Sequence, residues 1–137
     1  MSRIYIITGK GGVGKTSVAA AHAVRSAREG RNTLLVSADM AHNLGDIFQT
    51  KAGGYVQEIA PCLSVLELDP YMLMREEYPH INKTISNLSG TVGAAIDSVG
   101  ETYMIPGLEN LFSLLKIRDL YLSGVYDRII VDCAPTG

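Results

Sequence analysis

Ile4-Tyr5-Ile6-Ile7-Thr8 runs into Gly9-Lys10-Gly11-Gly12-Val13-Gly14-Lys15-Thr16, and an alanine-rich stretch without glycine or proline follows from Thr16 to Glu29. A short apolar run of that length reads as a buried strand, and the alanine-rich stretch as a helix. Val18, Ala21, Val24 and Ala27 are expected to share one face of it. Gly30 stands where a helix-ending glycine belongs, with Arg25 and Arg28 in the last turns. Thr33-Leu34-Leu35-Val36-Ser37 then reads as a second strand. Strand, glycine loop, helix, strand is a βαβ unit, so the expected fold is α/β, a mostly parallel sheet flanked by helices.

The loop matches GxxxxGK[ST] throughout. Glycines let backbone N–H groups face a phosphate without obstruction from side chains. The N-terminus of the following helix favours an anion. Gly9, Lys10, Gly11, Gly12, Val13, Gly14, Lys15, Thr16 and Ser17 are therefore the candidate nucleotide-binding residues. Lys15 is placed to reach the β- and γ-phosphates, and the Thr16 hydroxyl is a hard oxygen ligand for Mg²⁺. ATP and Mg²⁺ are the expected cofactors of this P-loop NTPase pattern.

Downstream, Leu63 to Leu68 reads as a third strand and Arg128 to Cys133 as a fourth. Asp132 closes that last apolar run. Beside a phosphate loop, a strand-ending aspartate is a candidate Mg²⁺ residue; by itself it would be an ordinary loop-bordering acid. Asp39 follows the second strand in the same way, at the edge where open α/β sheets bind ligands. Between these strands, apolar residues recur at helical spacing from Tyr71 to Val99, broken by Pro79, Gly90 and Gly93. The expectation is two or three helices there and a further amphipathic helix from Leu108 to Leu122. Four strands are few for a doubly wound sheet. The last strand is expected to lack a neighbour, and the chain to continue past Gly137.

Composition narrows the function classes. The 137 residues are 47% hydrophobic and 19% charged, with net charge −2. That balance is globular, fits one domain, and offers no basic footprint for nucleic acid. Cys62 and Cys133 lie far apart without a CxxC, and read as reduced, buried thiols rather than zinc ligands. The N-terminus lacks a signal-peptide layout and no apolar run is long enough to span a bilayer, so a cytoplasmic location without membrane insertion is expected.

The second lysine of the loop, Lys10, makes Gly9–Thr16 a deviant Walker A pattern. That pattern resembles partition and septum-site ATPases, nitrogenase iron protein, and the arsenite-pump and tail-anchored-protein-targeting ATPases. Two further stretches narrow the likeness to the last family. Ser37-Ala38-Asp39-Met40-Ala41-His42-Asn43-Leu44-Gly45-Asp46-Ile47-Phe48 is similar to its first switch, and Val131-Asp132-Cys133-Ala134-Pro135-Thr136-Gly137 to its second. The resemblance runs the length of this chain but covers only the first part of a family member.

It implies one P-loop ATPase domain of which residues 1–137 are the N-terminal part, with a helical subdomain segment near 70–105. It further implies that Asp39 orients or deprotonates the attacking water and that Lys15 holds phosphate. Lys10 would act across a homodimer, the alternative being a solvated surface lysine. Thr16 and Asp132 would serve Mg²⁺, and Asp46 and Pro135-Thr136-Gly137 would move as switches. The implied client is a membrane pump subunit or a hydrophobic protein segment. Met40 stands where the family has proline, and Ala38 and Cys133 where it has threonine; no charged group of the pattern is lost. His42 reads as a positioning or exposed residue, and His22 and His80 as structural or exposed. Two other readings stay open: a partition- or septum-site-type ATPase, and a non-hydrolysing nucleotide-binding module.

Overall fold

A computed structural model of the chain describes residues 2–9, 14–38, 54–81, 83–84, 94–96, 102–104 and 108–133. Its contacts divide it into two units, one of residues 1–68 with 118–137 and one of residues 69–117.

The first unit is built on a sheet of five strands: β1 (Arg3–Ile7), β2 (Thr33–Ser37), β3 (Gln57–Ala60), β4 (Leu63–Glu67) and β7 (Arg128–Asp132). Their order is β1-β7-β2-β4-β3. β1, β7, β2 and β4 run parallel, and β3 is antiparallel to β4. The central strands are apolar runs because helices and neighbouring strands leave them little contact with water. Leu34, Leu35, Val36, Ile129, Ile130 and Val131 are all buried.

The last strand of the chain is therefore not the uncovered one. β7 sits between β1 and β2 and is paired on both sides. The crossover from β1 to β2 leaves a slot one strand wide, and the chain returns to fill it. Among the described residues the parallel edge is β1, whose Ile4, Tyr5 and Ile6 are exposed, Ile6 by 62%. β3 was not expected at all. Its sequence, Gln57-Glu58-Ile59-Ala60, is half polar and mostly exposed, because among the described residues it forms the other edge of the sheet. A turn at Pro61-Cys62 connects it to β4, with Cys62 at φ +64° and its carbonyl accepting from Thr33 N at 2.8 Å.

Helix α1 (Lys15–Arg28) packs on this sheet. Ala19, Ala20 and Ala23 meet Leu35, Leu63, Val65 and Ile130, with Val24, Ala27, Ile7 and Ile59 at the margin. The buried stripe is thus offset from the face shared by Val18 and Ala21, which are exposed. Leu, Val and Ile from the strands already fill the space, so small side chains let the helix lie close. At the helix end Gly30 adopts φ +82°. Gly30 N donates to Ala27 O at 3.0 Å and Arg31 N to Ser26 O at 3.2 Å. This paired closure of the last turn requires a left-handed residue, as expected of Gly30.

In the second unit, Asp69 caps a short helix α2 (Pro70–Met72), its carboxylate accepting from Tyr71 N and Met72 N. A π-helical turn, Leu73–Glu77, follows, closed by Tyr78 N donating to Leu73 O at 2.7 Å. Helix α3 (Leu108–Leu122) begins in this unit, as read from sequence. Its Phe112 stacks on Tyr78 with ring centroids 6.2 Å apart, and Lys116 donates to Glu77 at 2.9 Å.

The helical expectation fails for 94–96. Strands β5 (Ala94–Ile96) and β6 (Thr102–Met104) pair antiparallel. A run such as Ala94-Ala95-Ile96 fits either period, and pairing with a second segment decides it. No helix among the described residues is long and apolar enough to cross a membrane.

Candidate functional site

Parallel register aligns the ends of the four parallel strands. Ile7 pairs with Asp132, Asp132 with Ser37, and Ser37 with Glu67, so one row of residues marks the carboxyl edge of the sheet. Ligands bind at this edge in open α/β folds. The loop after β1 leaves the sheet here and enters α1 through Gly14, at φ +79°. The N-cap of α1 is a glycine, which offers no capping side chain, and the first turn holds no acidic residue. The helix dipole at that end favours an anion.

Two side chains of the first helical turn point back to the sheet. The Lys15 ammonium donates to the Asp132 carboxylate and to the Cys133 carbonyl. The Thr16 hydroxyl donates to the other Asp132 oxygen at 2.8 Å. All three residues are buried, and Asp132 has no exposure at all. A buried carboxylate needs a cation and hydrogen bonds in compensation. Asp132 receives both from residues 116 and 117 positions earlier in the chain.

The strand–loop–helix path explains the meeting. β1 and β7 are neighbours in register, so the residue closing β7 lies beside the exit from β1. Asp132 shares its strand face with Ile130, which packs against α1. The candidates brought together are thus Lys15, Thr16 and Asp132. Ser17, on the same turn, is exposed and stands apart from the buried group. Gly9 is described, at φ +153°. Lys10, Gly11, Gly12, Val13, Asp39, Asp46, Pro135, Thr136 and Gly137 lie outside the described residues, as does His42. His22 and His80 are exposed.

Sequence reading missed the Cys133 carbonyl. A main-chain acceptor carries no residue-type signal, so only the fold identifies it. The Cys133 side chain is a half-buried free thiol, as is that of Cys62. Burial pushes the Cys133 thiol up, Lys15 opposes this, and Asp132 adds to it. That direction favours the neutral thiol over a reactive thiolate. Among the described residues, no three histidine, cysteine or acidic side chains cluster as a metal cage.

Comparison with known proteins gives a consistent result. The model of a family described as anion-transporting ATPase matches residues 2–137. A putative arsenical pump-driving ATPase of Prosthecochloris vibrioformis is 41% identical over 135 residues, covering 98% of this chain and 33% of the relative. The arsenical pump-driving ATPase of Escherichia coli is 38% identical over 139 residues, 95% of this chain and 23% of the relative. ATPase get3 of Botryotinia fuckeliana is 34% identical over 137 residues, 98% of this chain and 39% of the relative. The chain thus spans between 23% and 39% of the length of these relatives.

Proposed function

Because the chain belongs to the anion-transporting ATPase family, we propose that it is the Mg-ATP-binding part of a dimeric ATPase. The observation that carries this reading is the buried meeting of Lys15 and Thr16 with Asp132, beside a complete phosphate loop.

The residues fit the cofactors. Thr16 Oγ1 and Asp132 Oδ2 are hard oxygens 2.8 Å apart, and Mg²⁺ takes one or two such protein ligands with water and substrate phosphates. The N-terminus of α1, without an acidic residue in its first turn, and the Lys15 ammonium suit the phosphates. When bound, Mg²⁺ supplies neutralising charge to the phosphate oxygens. The chain's own residues do the rest. Backbone N–H groups of Gly9–Thr16 hold the phosphates, and Lys15 offsets charge that develops at the β–γ bridge. Asp39, two residues past the end of β2, orients the attacking water or takes its proton. Lys10 contributes from the second subunit of a homodimer. Asp46 and Pro135-Thr136-Gly137 report the state of the nucleotide as switches.

The matched relatives named as arsenical pump-driving ATPases favour a pump subunit as client, and the relative named get3 keeps a hydrophobic protein segment in view. No cysteine occurs between residues 63 and 132, so this stretch offers no thiolate to a soft metalloid. The partition-type and non-hydrolysing readings gain nothing from these three relatives, which are named as pump-driving or get3 ATPases.

The test uses the whole protein that carries this chain. Lys15→Ala is expected to weaken Mg-ATP binding by at least about a hundredfold, the loss of a buried charge-assisted contact; unchanged affinity by calorimetry would sink the proposal. Asp39→Asn is expected to leave binding nearly intact and slow phosphate release by at least about tenfold. A wild-type turnover rate in that variant would remove Asp39 from the mechanism.

A further inference from the structure

The groups that suit phosphate and metal are not idle in this structure: they are bonded to each other. Lys15, with its side chain 2% exposed, is paired with Asp132, at 0%. Thr16 donates to the same carboxylate. Among the described residues, these two side chains are the partners of the Asp132 carboxylate. We propose that the Lys15–Asp132 ion pair makes the site selective for metal-bound over metal-free nucleotide, by holding the phosphate-binding lysine until a second cation can replace it. This rests on the proposed function and adds a role for the pair that the cradle itself does not require.

Charges in so buried a place have to balance. A metal-free nucleotide that draws Lys15 toward its phosphates takes the cation from Asp132. That leaves a fully buried carboxylate with a hydroxyl for company, next to a newly arrived polyanion. Removing one partner of a buried pair is strongly unfavourable, because the other keeps its desolvation cost without compensation. A metal alone fares no better: Asp132 and Thr16 could accept it, but Lys15 would then face a like charge in a site without phosphate. Only joint arrival leaves each group satisfied. Lys15 exchanges a carboxylate for phosphate oxygens, and Asp132 exchanges an ammonium for the metal.

The Cys133 carbonyl extends the device. It accepts a hydrogen bond from Lys15, so a resting lysine is held by two residues in succession at the end of β7. Cys133 N in turn donates to Ile7 O at 3.1 Å, which fixes that carbonyl to the strand from which the loop departs. Moving Lys15 therefore frees acceptors on the segment that leads into Ala134-Pro135-Thr136-Gly137.

Asp132→Asn tests the inference by binding, without reference to turnover. ADP affinity of the whole protein is measured by calorimetry with Mg²⁺ and with chelator. Wild type is expected to bind ADP at least about a hundredfold more weakly without metal. Asp132→Asn, which has no carboxylate to release Lys15 from, should bind metal-free ADP at least about tenfold more tightly than wild type does. Its metal-dependent gain should shrink correspondingly. Asp132→Ser serves the same purpose if the asparagine variant does not fold. Thermal melting of nucleotide-free Lys15→Met, Asp132→Asn and the double variant gives a second readout. The two single effects should be non-additive, since the residues share one bond.

Metal-free affinity in Asp132→Asn no tighter than in wild type, or additive melting effects, overturns the inference while leaving the ATPase reading standing. Failure of wild type to bind Mg-ADP at all would instead remove the ATPase reading, and the inference with it.

Discussion

The two ends of the five-stranded sheet carry similar charged groups and put them to opposite use. At the carboxyl end, one ammonium and one carboxylate are buried and joined. At the amino end, Arg3, Arg31 and Arg128 surround a cavity of about 450 Å³ with Asp127. Among the described residues this rim holds more charged groups than the buried pair does, but Arg3, Arg31 and Asp127 are exposed. Its contacts are those of a solvated rim. Arg128 lies 5.2 Å above the Tyr5 ring, Arg31 is 3.5 Å from Glu29, and the Asp127 carboxylate accepts from Asn32 N at 2.8 Å. The number of charges does not distinguish a site from a surface. Desolvation does, because it raises the cost of every unpaired group and so makes each partner matter.

The comparison breaks most readily at Asp132. Asp132→Ala leaves Lys15 buried without its carboxylate and is expected to cost about 3–5 kcal/mol of stability, read from denaturant unfolding of the whole protein. A loss under about 1 kcal/mol would mean that the carboxyl end is as solvated as the amino end. A smaller effect is expected at the closure of α1. Gly30→Ala meets no atom within 4 Å, yet forces an alanine to φ +82°. The cost is strain of about 1 kcal/mol, seen as a lowered unfolding midpoint with unchanged ATP affinity. The smallest belongs to the rim. Arg31→Ala should change stability by no more than about 0.5 kcal/mol, as surface pairs do, and leave ATP binding untouched. A loss like that of Asp132→Ala would overturn the contrast between the two ends.

Residues 69–117 offer another lesson about legibility. There the helix expected from Leu108 to Leu122 formed as α3, and the helical stripe expected from Tyr71 to Val99 failed at β5. The difference follows from length. Leu108–Leu122 spans 15 residues, enough turns for periodicity and propensity to speak together. Ala94–Ile96 spans three, too few to distinguish periods of 3.6 and 2.

The sequence alone determined the local pieces. The loop, its strand and helix, the Gly30 closure, the apolar runs of β2, β4 and β7, and the candidate roles of Lys15, Thr16 and Asp132 rest on neighbours within a few residues. Backbone sterics, capping and periodicity act at that range. Tertiary structure decided what depends on distant pairing. It placed β7 between β1 and β2 and, among the described residues, left β1 as an edge. It recruited the mixed stretch Gln57–Ala60 as β3, and turned Ala19, Ala20 and Ala23 rather than Val18 toward the core. It also joined Lys15 and Thr16 to Asp132 and a main-chain carbonyl across more than a hundred residues of chain. Strand order and side-chain pairing minimise the exposed apolar area and unsatisfied polar groups of the whole fold at once, a sum to which no local stretch of sequence has access.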